Sequence, residues 1–221
     1  YIMLVTREKP TGIATQLAIY PYAVKMLSGA KTSFTVKAAD EFGFAAPLTQ
    51  PVSFSVTEGL GTIGQDGAFK ALGAGTGVVS VSAEGLAGAE SELTVVSTPD
   101  EIRIKNEATG KTLTAIEIQV DQSMELTAEA MLNHLSLISA DDCFSWSVSG
   151  NIGSITATGK FTAAGIPASG SIKVTAGEKT VTIPVKVVYP PGRFEDVPQK
   201  AWYFDAVNFV VREGLFNGVS E

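Results

Sequence analysis

The sequence predicts a mainly β protein that consists of two tandem β-sandwiches and a short C-terminal helical segment. Short segments such as "FTVKA" (residues 34–38) and "VSVSA" (residues 79–83) alternate apolar and polar side chains, as half-buried strands do. One block of sequence occurs twice, and the 221 residues suffice for two domains of about 90 residues each. The end of the chain changes to the apolar spacing of an amphipathic helix.

The charge and hydropathy of the chain exclude several classes of partner. The formal net charge is −7, which argues against nucleic acid, because nucleic-acid binding needs clustered Lys and Arg. Only 18 % of the residues are charged, so we expect no disordered region. We also expect no membrane span, since a span needs about 18 consecutive apolar residues. The opening "YIMLV" is too short for a signal peptide, and the start at Tyr1 indicates a piece of a longer protein.

The internal repeat is visible without a gap. Residues 54–71 align with residues 146–163 at an offset of 92 positions (146 − 54). The alignment keeps aromatic and glycine positions, namely Phe54 with Trp146, Gly61 with Gly153, Gly67 with Gly159 and Phe69 with Phe161. Two copies of one unit predict two domains of the same topology, with all four aromatic residues buried.

Each copy is expected to fold as a two-sheet sandwich, because its apolar–polar segments are short and separated by turn signals. The sequences "QDGAF" and "ATGKF" each place a glycine where a tight hairpin needs a positive φ. Residues 126–139, "LTAEAMLNHLSLIS", have a helix-like composition. Their counterpart in the first copy contains Gly43 and Pro47, so we predict a strand followed by a loop.

The repeat also defines the domain organisation. We place the first domain at residues 13–98 and the second at residues 99–190, joined by a polar segment around Pro99. Residues 1–12 are a lead-in, which can also be the tail of an upstream domain. Residues 191–221 form a separate C-terminal segment.

The motifs of the repeat resemble those of bacterial Ig-like domains. Residues 146–176 contain a core aromatic residue, a G-x-I step, a G-x-F-x-A hairpin and a G-x-I-x-V strand, and the first copy keeps this pattern with Phe54 in place of the Trp. The resemblance covers residues 13–189. It implies two Ig-like β-sandwiches of the kind that serve as spacers or adhesive stalks on cell-surface proteins.

The C-terminal segment resembles the first half of an S-layer homology (SLH) motif. The residues that match the motif are Phe194, Asp196, Val197, Trp202, Ala206, Val207, Gly214, Leu215 and Gly218. The resemblance implies the beginning of a cell-wall anchor whose second half would follow Glu221. In a complete motif, Asp196 and Trp202 would bind wall polysaccharide. Alternatively, Asp196 caps the start of a helix and Trp202 packs against the second SLH helix.

The residues of this segment independently predict a helix over residues 200–213. Pro198 suits a first helical turn, and Gly214 suits the positive φ that ends a helix. One apolar face is expected at i, i+4, i+7 and i+8, formed by Trp202, Ala206, Phe209 and Val210. We expect this face to be buried on a sandwich or on a neighbouring molecule.

No catalytic, cofactor-binding or metal-binding residue is predicted. His134 is the only histidine, and it has no partner at metal-ligand spacing. The adjacent acids are interpreted as solvated turn residues, with calcium binding as the alternative; they are Asp40 with Glu41 and Asp141 with Asp142. Cys143 is the only cysteine, so no intrachain disulfide can form, and we expect a buried thiol.

These observations predict a non-catalytic spacer or stalk region of a secreted bacterial surface protein, located at the cell wall or S-layer. The expected partner is secondary cell-wall polysaccharide, bound through the complete SLH region, and the chain is expected to be a monomer with packing through its tail. Two alternatives remain. The chain can be the accessory region of an enzyme whose glycoside- or phosphodiester-cleaving domain precedes Tyr1, or an adhesin whose Ig-like domains bind host protein or glycan.

Overall fold

The computed structural model describes residues 9–190, 197 and 200–215, which form a mainly β protein with one α-helix. The predicted fold class, Ig-like β-sandwiches with a short C-terminal helical segment, is confirmed. The strands of the first repeat are β1 (Gln16–Tyr20), β2 (Ala23–Leu27), β3 (Lys31–Ser33), β4 (Thr35–Ala39), β5 (Ala45–Ala46), β6 (Ser53–Val56), β7 (Gly61–Ile63), β8 (Ala68–Ala71), β9 (Gly75–Ser82) and β10 (Ala89–Val96).

The second repeat has a similar series of strands. They are β11 (Glu101–Asn106), β12 (Ile116–Gln119), β13 (Ser123–Leu132), β14 (Leu135–Ser136), β15 (Ser145–Ser149), β16 (Gly153–Ile155), β17 (Lys160–Ala163), β18 (Ala168–Ala176) and β19 (Lys179–Val188). A 3₁₀ turn covers Asp141–Cys143, and the helix α1 covers Phe204–Arg212. The prediction of a strand rather than a helix after residue 126 is confirmed, because β13 continues through a two-residue turn into β14.

The two repeats use the same strand order. The larger sheet of the first repeat has the order β2-β10-β9-β6, and its counterpart in the second repeat has the order β12-β19-β18-β15. In each sheet the edge strand pairs in parallel with the last strand of its repeat, β2 with β10 and β12 with β19. At the other edge of each sheet the pairing is antiparallel, between β6 and β9 in the first repeat and between β15 and β18 in the second.

Each core lies between strands that bury alternate side chains. In the first repeat, one apolar cluster joins residues from all three of its sheets, including Ile19, Phe34, Phe69, Val81 and Leu93. In the second repeat, the buried side chains at similar places in the sheets include Ile104, Leu126, Phe161, Val174 and Val185. This alternation is the period-two pattern that the sequence shows.

The aligned aromatic residues do not share one environment. Phe69 and Phe161 are fully buried, as predicted from the repeat. Phe54 and Trp146 are only half-buried, so the expectation that both are fully buried is wrong, although Phe54 packs against the core cluster of its repeat. Phe54 lies on β6 and Trp146 lies on β15. Each of these is an edge strand of its larger sheet, so it has a neighbouring strand on one side only.

The equivalence of the repeats extends to individual atoms around one glycine. Gly67 has a φ of +78°, and a Cβ atom built on it would lie less than 3.0 Å from the carbonyl oxygen of Phe34. Gly159 has a φ of +92°, and its Cβ would lie equally close to the carbonyl oxygen of Leu126. The next neighbour of the added Cβ is an aromatic ring in both cases, that of Phe54 in the first repeat and that of Trp146 in the second. The hairpin glycine is therefore required both by its φ and by close contact with a backbone carbonyl.

The chain divides into two compact units whose limits differ from the two repeats. The first unit contains the chain up to Ile102 together with Glu129–Phe144 and Ala176–Lys179, and the second contains the remainder. Within the first unit, Ile138 forms a parallel bridge with Met26, and its backbone hydrogen-bonds to Leu27 and Lys25. The domain limits at residues 13–98 and 99–190 stay a prediction.

The helix α1 is shorter than the predicted range of residues 200–213. It begins at Phe204, because the preceding residues form a tighter turn in which the Phe204 amide donates to the Ala201 carbonyl. Its end is close to the predicted one, since Gly214 follows with a φ of +67°. Pro198, the predicted first-turn residue, lies outside the described residues.

Candidate functional site at the C-terminal helix

The helix α1 packs through a face that the sequence did not single out. Phe204 is only 8 % exposed, and Val207, Asn208 and Val211 are half-buried. These positions follow i, i+3, i+4 and i+7, so they lie on one side of the helix. On this side, Asn208 and Val211 line a cavity together with Gln119 of β12, Val120 and Tyr189.

The predicted apolar face is instead largely exposed, and this expectation is therefore wrong. Trp202 is 93 % exposed, Phe209 is 43 % exposed and Ala206 is exposed, while Val210 is half-buried. The helix carries apolar residues around most of its circumference. Periodicity alone could not decide which apolar side would be covered, because both sides have the i, i+3, i+4 spacing.

Arg212 connects the last turn of α1 to the sandwich. Its guanidinium carbon lies 5.8 Å from the ring centre of Tyr189, within the range of a cation–π contact. Its Nη1 atom lies 4.0 Å from Oδ2 of Asp121, and its Nη2 atom lies 3.0 Å from Oε1 of Glu213. Asp121 occupies the turn between β12 and β13 with a φ of +61°, a conformation that Asp tolerates better than most residues. The helix is thus held at its C-terminal end by one side chain with several partners.

Two adjoining cavities lie where α1 meets the sandwich. We call this region the helix seam; it includes Gln119 and Tyr189 on the sandwich and Phe204 and Arg212 on the helix. The larger has a volume of about 730 Å³ and lies against β12, β19, the start of β18 and the first turn of α1. The smaller has a volume of about 360 Å³ and lies next to the last turns of α1. Gln119 and Tyr189 line both cavities.

The polar side chains of the helix seam include both hydrogen-bond donors and acceptors. Gln122 Nε2 donates to Gln119 Oε1 at 3.3 Å, so the two amides lie side by side. Lys186 Nζ lies 3.6 Å from Glu117 Oε2, across the parallel pair β12–β19. Asn208 Nδ2 is buried and donates to no acceptor among the described residues. A buried donor of this kind usually finds a partner, in the protein or outside it.

Of the two residues predicted to bind polysaccharide, the structure describes only Trp202. Asp196 lies outside the described residues. Trp202 lies next to α1, where its ring meets the ring of Tyr203 edge-on with the centres 5.5 Å apart. The exposed indole is accessible to a ligand or to a second protein surface. Polysaccharide binding by Asp196 and Trp202 stays a prediction.

Asp40 is not the solvated turn residue that the sequence predicted. It is fully buried, and its carboxylate accepts hydrogen bonds from the backbone amides of Thr11, Phe42 and Phe44 at 2.8, 3.0 and 2.9 Å. Burial alone would raise the pKa of Asp40, but these hydrogen bonds stabilise the charged form and lower the pKa below its usual value. The side chain therefore fixes the loop between β4 and β5. The neighbouring Glu41 is exposed.

The other residues considered for chemistry do not converge. His134 lies with Asn133 in the turn between β13 and β14, where both have positive φ and the imidazole is exposed. Asp141 and Asp142 are exposed at the start of the 3₁₀ turn. Within the described part of the chain, no three His, Cys, Asp or Glu side chains are grouped so that they could hold a metal ion.

The Cys143 thiol is half-buried rather than buried. Burial raises its pKa, and the nearby Asp142 carboxylate raises it further. Its Sγ atom lies 3.6 Å from the Ser28 carbonyl oxygen. A thiol with a raised pKa is a poor nucleophile at neutral pH.

Comparison with known proteins gives only distant similarities. No protein-family model matches the chain, and no curated protein matches it. Among solved structures, domains 5–6 of the S-layer protein SbsC align with 16 % identity and a TM-score of 0.35, covering 83 % of this chain and all of that one. The adhesin InvE of Yersinia pseudotuberculosis aligns with 16 % identity and a TM-score of 0.31, covering 78 % of this chain and 58 % of that one.

Repeats 1 and 2 of human protocadherin-24 align with 13 % identity and a TM-score of 0.28, covering 81 % of this chain and all of that one. Because each of these TM-scores is below 0.5, the similarities carry no conclusion about function. The fold assignment rests on the strand order of this chain. Among the described residues, no helix is both long and apolar enough to cross a bilayer.

Proposed function

We propose that this chain is a non-catalytic spacer region of a secreted bacterial surface protein, leading into an SLH-type anchor that binds wall polysaccharide. The observation that carries the proposal is the combination of two repeats whose larger sheets have the same strand order with a C-terminal segment that resembles the first half of an SLH motif. A repeated module can set the distance between an anchor and a more distant part of a protein.

The strand pairing suits a chain that transmits force between its ends. In each repeat an early strand pairs in parallel with the final strand, over Ala23 to Leu27 with Glu92 to Val96 in the first case. Pulling on the two ends of such a repeat moves these strands in opposite directions along their length. All hydrogen bonds between them are then loaded together, and the repeat resists extension.

The absence of convergent chemistry among the described residues supports a non-catalytic role. General acid–base catalysis needs titratable groups that face a common substrate position. His134 lies in an exposed turn, and Asp40 is occupied with backbone amides of its own loop. An enzyme domain preceding Tyr1 would leave this role of the region unchanged.

The proposal is tested by sedimentation of the protein with purified cell walls. The protein that includes the sequence following Glu221 in its gene is expected to co-sediment with walls from which protein has been removed. Asp196→Ala is expected to weaken this binding, and Asp142→Ala, which removes an exposed carboxylate elsewhere, is expected to leave it unchanged. The same retention for both variants would contradict the role of Asp196, and no retention of the parent protein would contradict the anchor.

One observation favours the alternative of an adhesin. Phe42 and Phe44 are exposed on the loop that Asp40 holds in place, so two aromatic side chains are presented on a fixed backbone. Rigid exposed aromatic residues are typical of binding surfaces. The double variant Phe42→Ser/Phe44→Ser should then abolish binding to immobilised host matrix proteins or glycans. Leu72→Ser, which changes an exposed apolar residue elsewhere, is the control.

A further inference from the structure

The helix seam has the dimensions of a small-molecule site. Cavities that bind small organic ligands usually measure about 300–1,000 Å³, and both cavities of the seam fall within this range. Because they share Gln119 and Tyr189, a ligand longer than one ring can extend from one cavity into the other. The lining residues all belong to the second unit.

The charges of the larger cavity disfavour an anionic ligand, and its described side chains do not form a metal site. Lys186 lies within 3.6 Å of Glu117, so the positive charge is balanced within the site. Asp205, in the first turn of α1, adds a further carboxylate. An anionic ligand would meet unbalanced negative charge, and the described residues provide no cluster of three metal-ligating side chains for a cation.

The hydrogen-bonding groups favour a ligand with many hydroxyl groups. Gln119 and Gln122 are linked through one amide hydrogen bond, which leaves Gln119 Nε2 and Gln122 Oε1 to bond with a ligand. Ser169, which also lines the larger cavity, adds a hydroxyl. A hydroxyl group can both donate and accept, so it matches such a mixed set, whereas a hydrocarbon ligand would leave these groups without partners.

The smaller cavity continues the same chemistry. Tyr189, Asn208 and Arg212 line this cavity, and the Asn208 Nδ2 atom itself is buried. Met124 and Pro167, which are half-buried, supply apolar surface in the larger cavity, against which the carbon face of a sugar ring can pack. The seam therefore combines an apolar floor with polar groups at its edges, as ligand sites commonly do.

We propose that the helix seam binds an uncharged, hexose-based oligosaccharide. The polar contacts come from Gln119, Gln122 and Ser169, with Met124 and Pro167 beneath the sugar rings. This site differs from the SLH position predicted around Asp196 and Trp202, so its existence does not depend on the proposed anchor.

The test is an NMR titration of the ¹⁵N-labelled chain with three neutral trisaccharides: maltotriose, cellotriose and chitotriose. At about 10 mM sugar, a site with a Kd of about 1 mM is close to saturation. At least one trisaccharide is expected to shift the backbone amide signals of Gln119, Gln122, Ser169 and Asp205 in a saturable way. A trigalacturonate of the same length, which is anionic, is expected to bind at least about tenfold more weakly.

Variants localise the site. Gln119→Ala/Gln122→Ala is expected to weaken binding by roughly tenfold or more, because it removes two amide partners. Gln65→Ala, which deletes an exposed amide in the first repeat, is the matched control and should bind as the parent does. Ser169→Trp adds a bulky indole to the lining of the larger cavity and should abolish binding, while unchanged amide signals from parts of the second repeat remote from the cavity report that its fold is intact.

The proposal is overturned if no trisaccharide shifts these signals at about 10 mM. It is equally overturned if the shifts cluster away from the helix seam, or if Ser169→Trp binds as the parent does. Stronger binding of the trigalacturonate, or of an unstructured peptide of similar size, would assign the seam to another ligand class. Loss of wall binding in Asp196→Ala together with retained trisaccharide binding would separate this site from the anchor.

Discussion

Replacement of Gly159 by Ala should destabilise the second repeat far more than the same change at a glycine with open space. The φ of +92° at Gly159 costs an L-residue about 1–2 kcal/mol. The added Cβ would also lie less than 3.0 Å from the Leu126 carbonyl oxygen, whereas such atoms normally stay about 3.3–3.6 Å apart.

The clash cannot be relieved by a side-chain rotation, because the obstructing atom belongs to the backbone. Separating the atoms by about 1 Å would distort the hydrogen bond from the Leu126 amide to the Gly159 carbonyl, which is 3.0 Å long. That bond contributes about 0.5–1.5 kcal/mol. Together with the φ cost, we expect the free energy of unfolding to fall by about 1.5–3.5 kcal/mol.

The matched control is Gly110→Ala in the same repeat. Gly110 has a φ of +66°, and no atom lies within 4 Å of the position that an added Cβ would occupy, so only the φ cost of about 1 kcal/mol applies. Urea unfolding would be followed by the fluorescence of Trp146, in a background in which Trp202 is replaced by Phe. Equal unfolding midpoints for the two alanine variants would refute the argument that close backbone contact requires glycine at this hairpin.

Three further changes test other parts of the structure. Phe161→Ala should lower the free energy of unfolding by about 3–5 kcal/mol in the same urea assay, because the ring is fully buried; a loss under about 1 kcal/mol would contradict this core assignment. Arg212→Ala should destabilise the docking of α1 by about 1 kcal/mol, by removing the contacts with Tyr189 and Asp121, and hydrogen exchange of the helix amides should become faster. Unchanged exchange would show that Arg212 does not hold the helix. Because hydrogen bonds lower the pKa of Asp40, its charged form stabilises the fold above the unfolded pKa of about 3.9, and this stabilisation is lost as the pH falls through the lower folded pKa. Asp40→Asn should therefore flatten the decrease of Tm between about pH 5 and pH 2, and identical pH profiles for parent and variant would contradict this role of Asp40.

The alignment of the two repeats predicted much of the fold because it pairs residues that occupy equivalent positions in two copies of one unit. Phe69 and Phe161 are both buried, and Gly67 and Gly159 both lie against the carbonyl of an equivalent residue in their own repeat. The alignment could not predict that Trp146 would be only half-buried. That outcome depends on β15 having a neighbour on one side only, which is a property of the sheet and not of the local sequence.

The candidate site was less accessible to sequence analysis. Periodicity identified α1 and its end near Gly214, but it selected the exposed face that includes Trp202. The polar residues of the helix seam carry no local signal, since Gln119 and Asn208 are far apart in sequence and belong to no motif. Only the lone amide pair of Gln119 and Gln122 could have been noticed as neighbours in the turn after β12.

The sequence by itself determined the β class, the duplication and the positions of the hairpin glycines. Each of these follows from local chemistry: side-chain alternation along one strand, similarity at a fixed offset, and the φ that a tight turn requires. The tertiary structure alone decided that Asp40 is buried, because its carboxylate takes partners from Thr11 and from its own loop. It also decided which side of α1 is covered, because a helix that is apolar on several sides buries the one that its neighbours can reach.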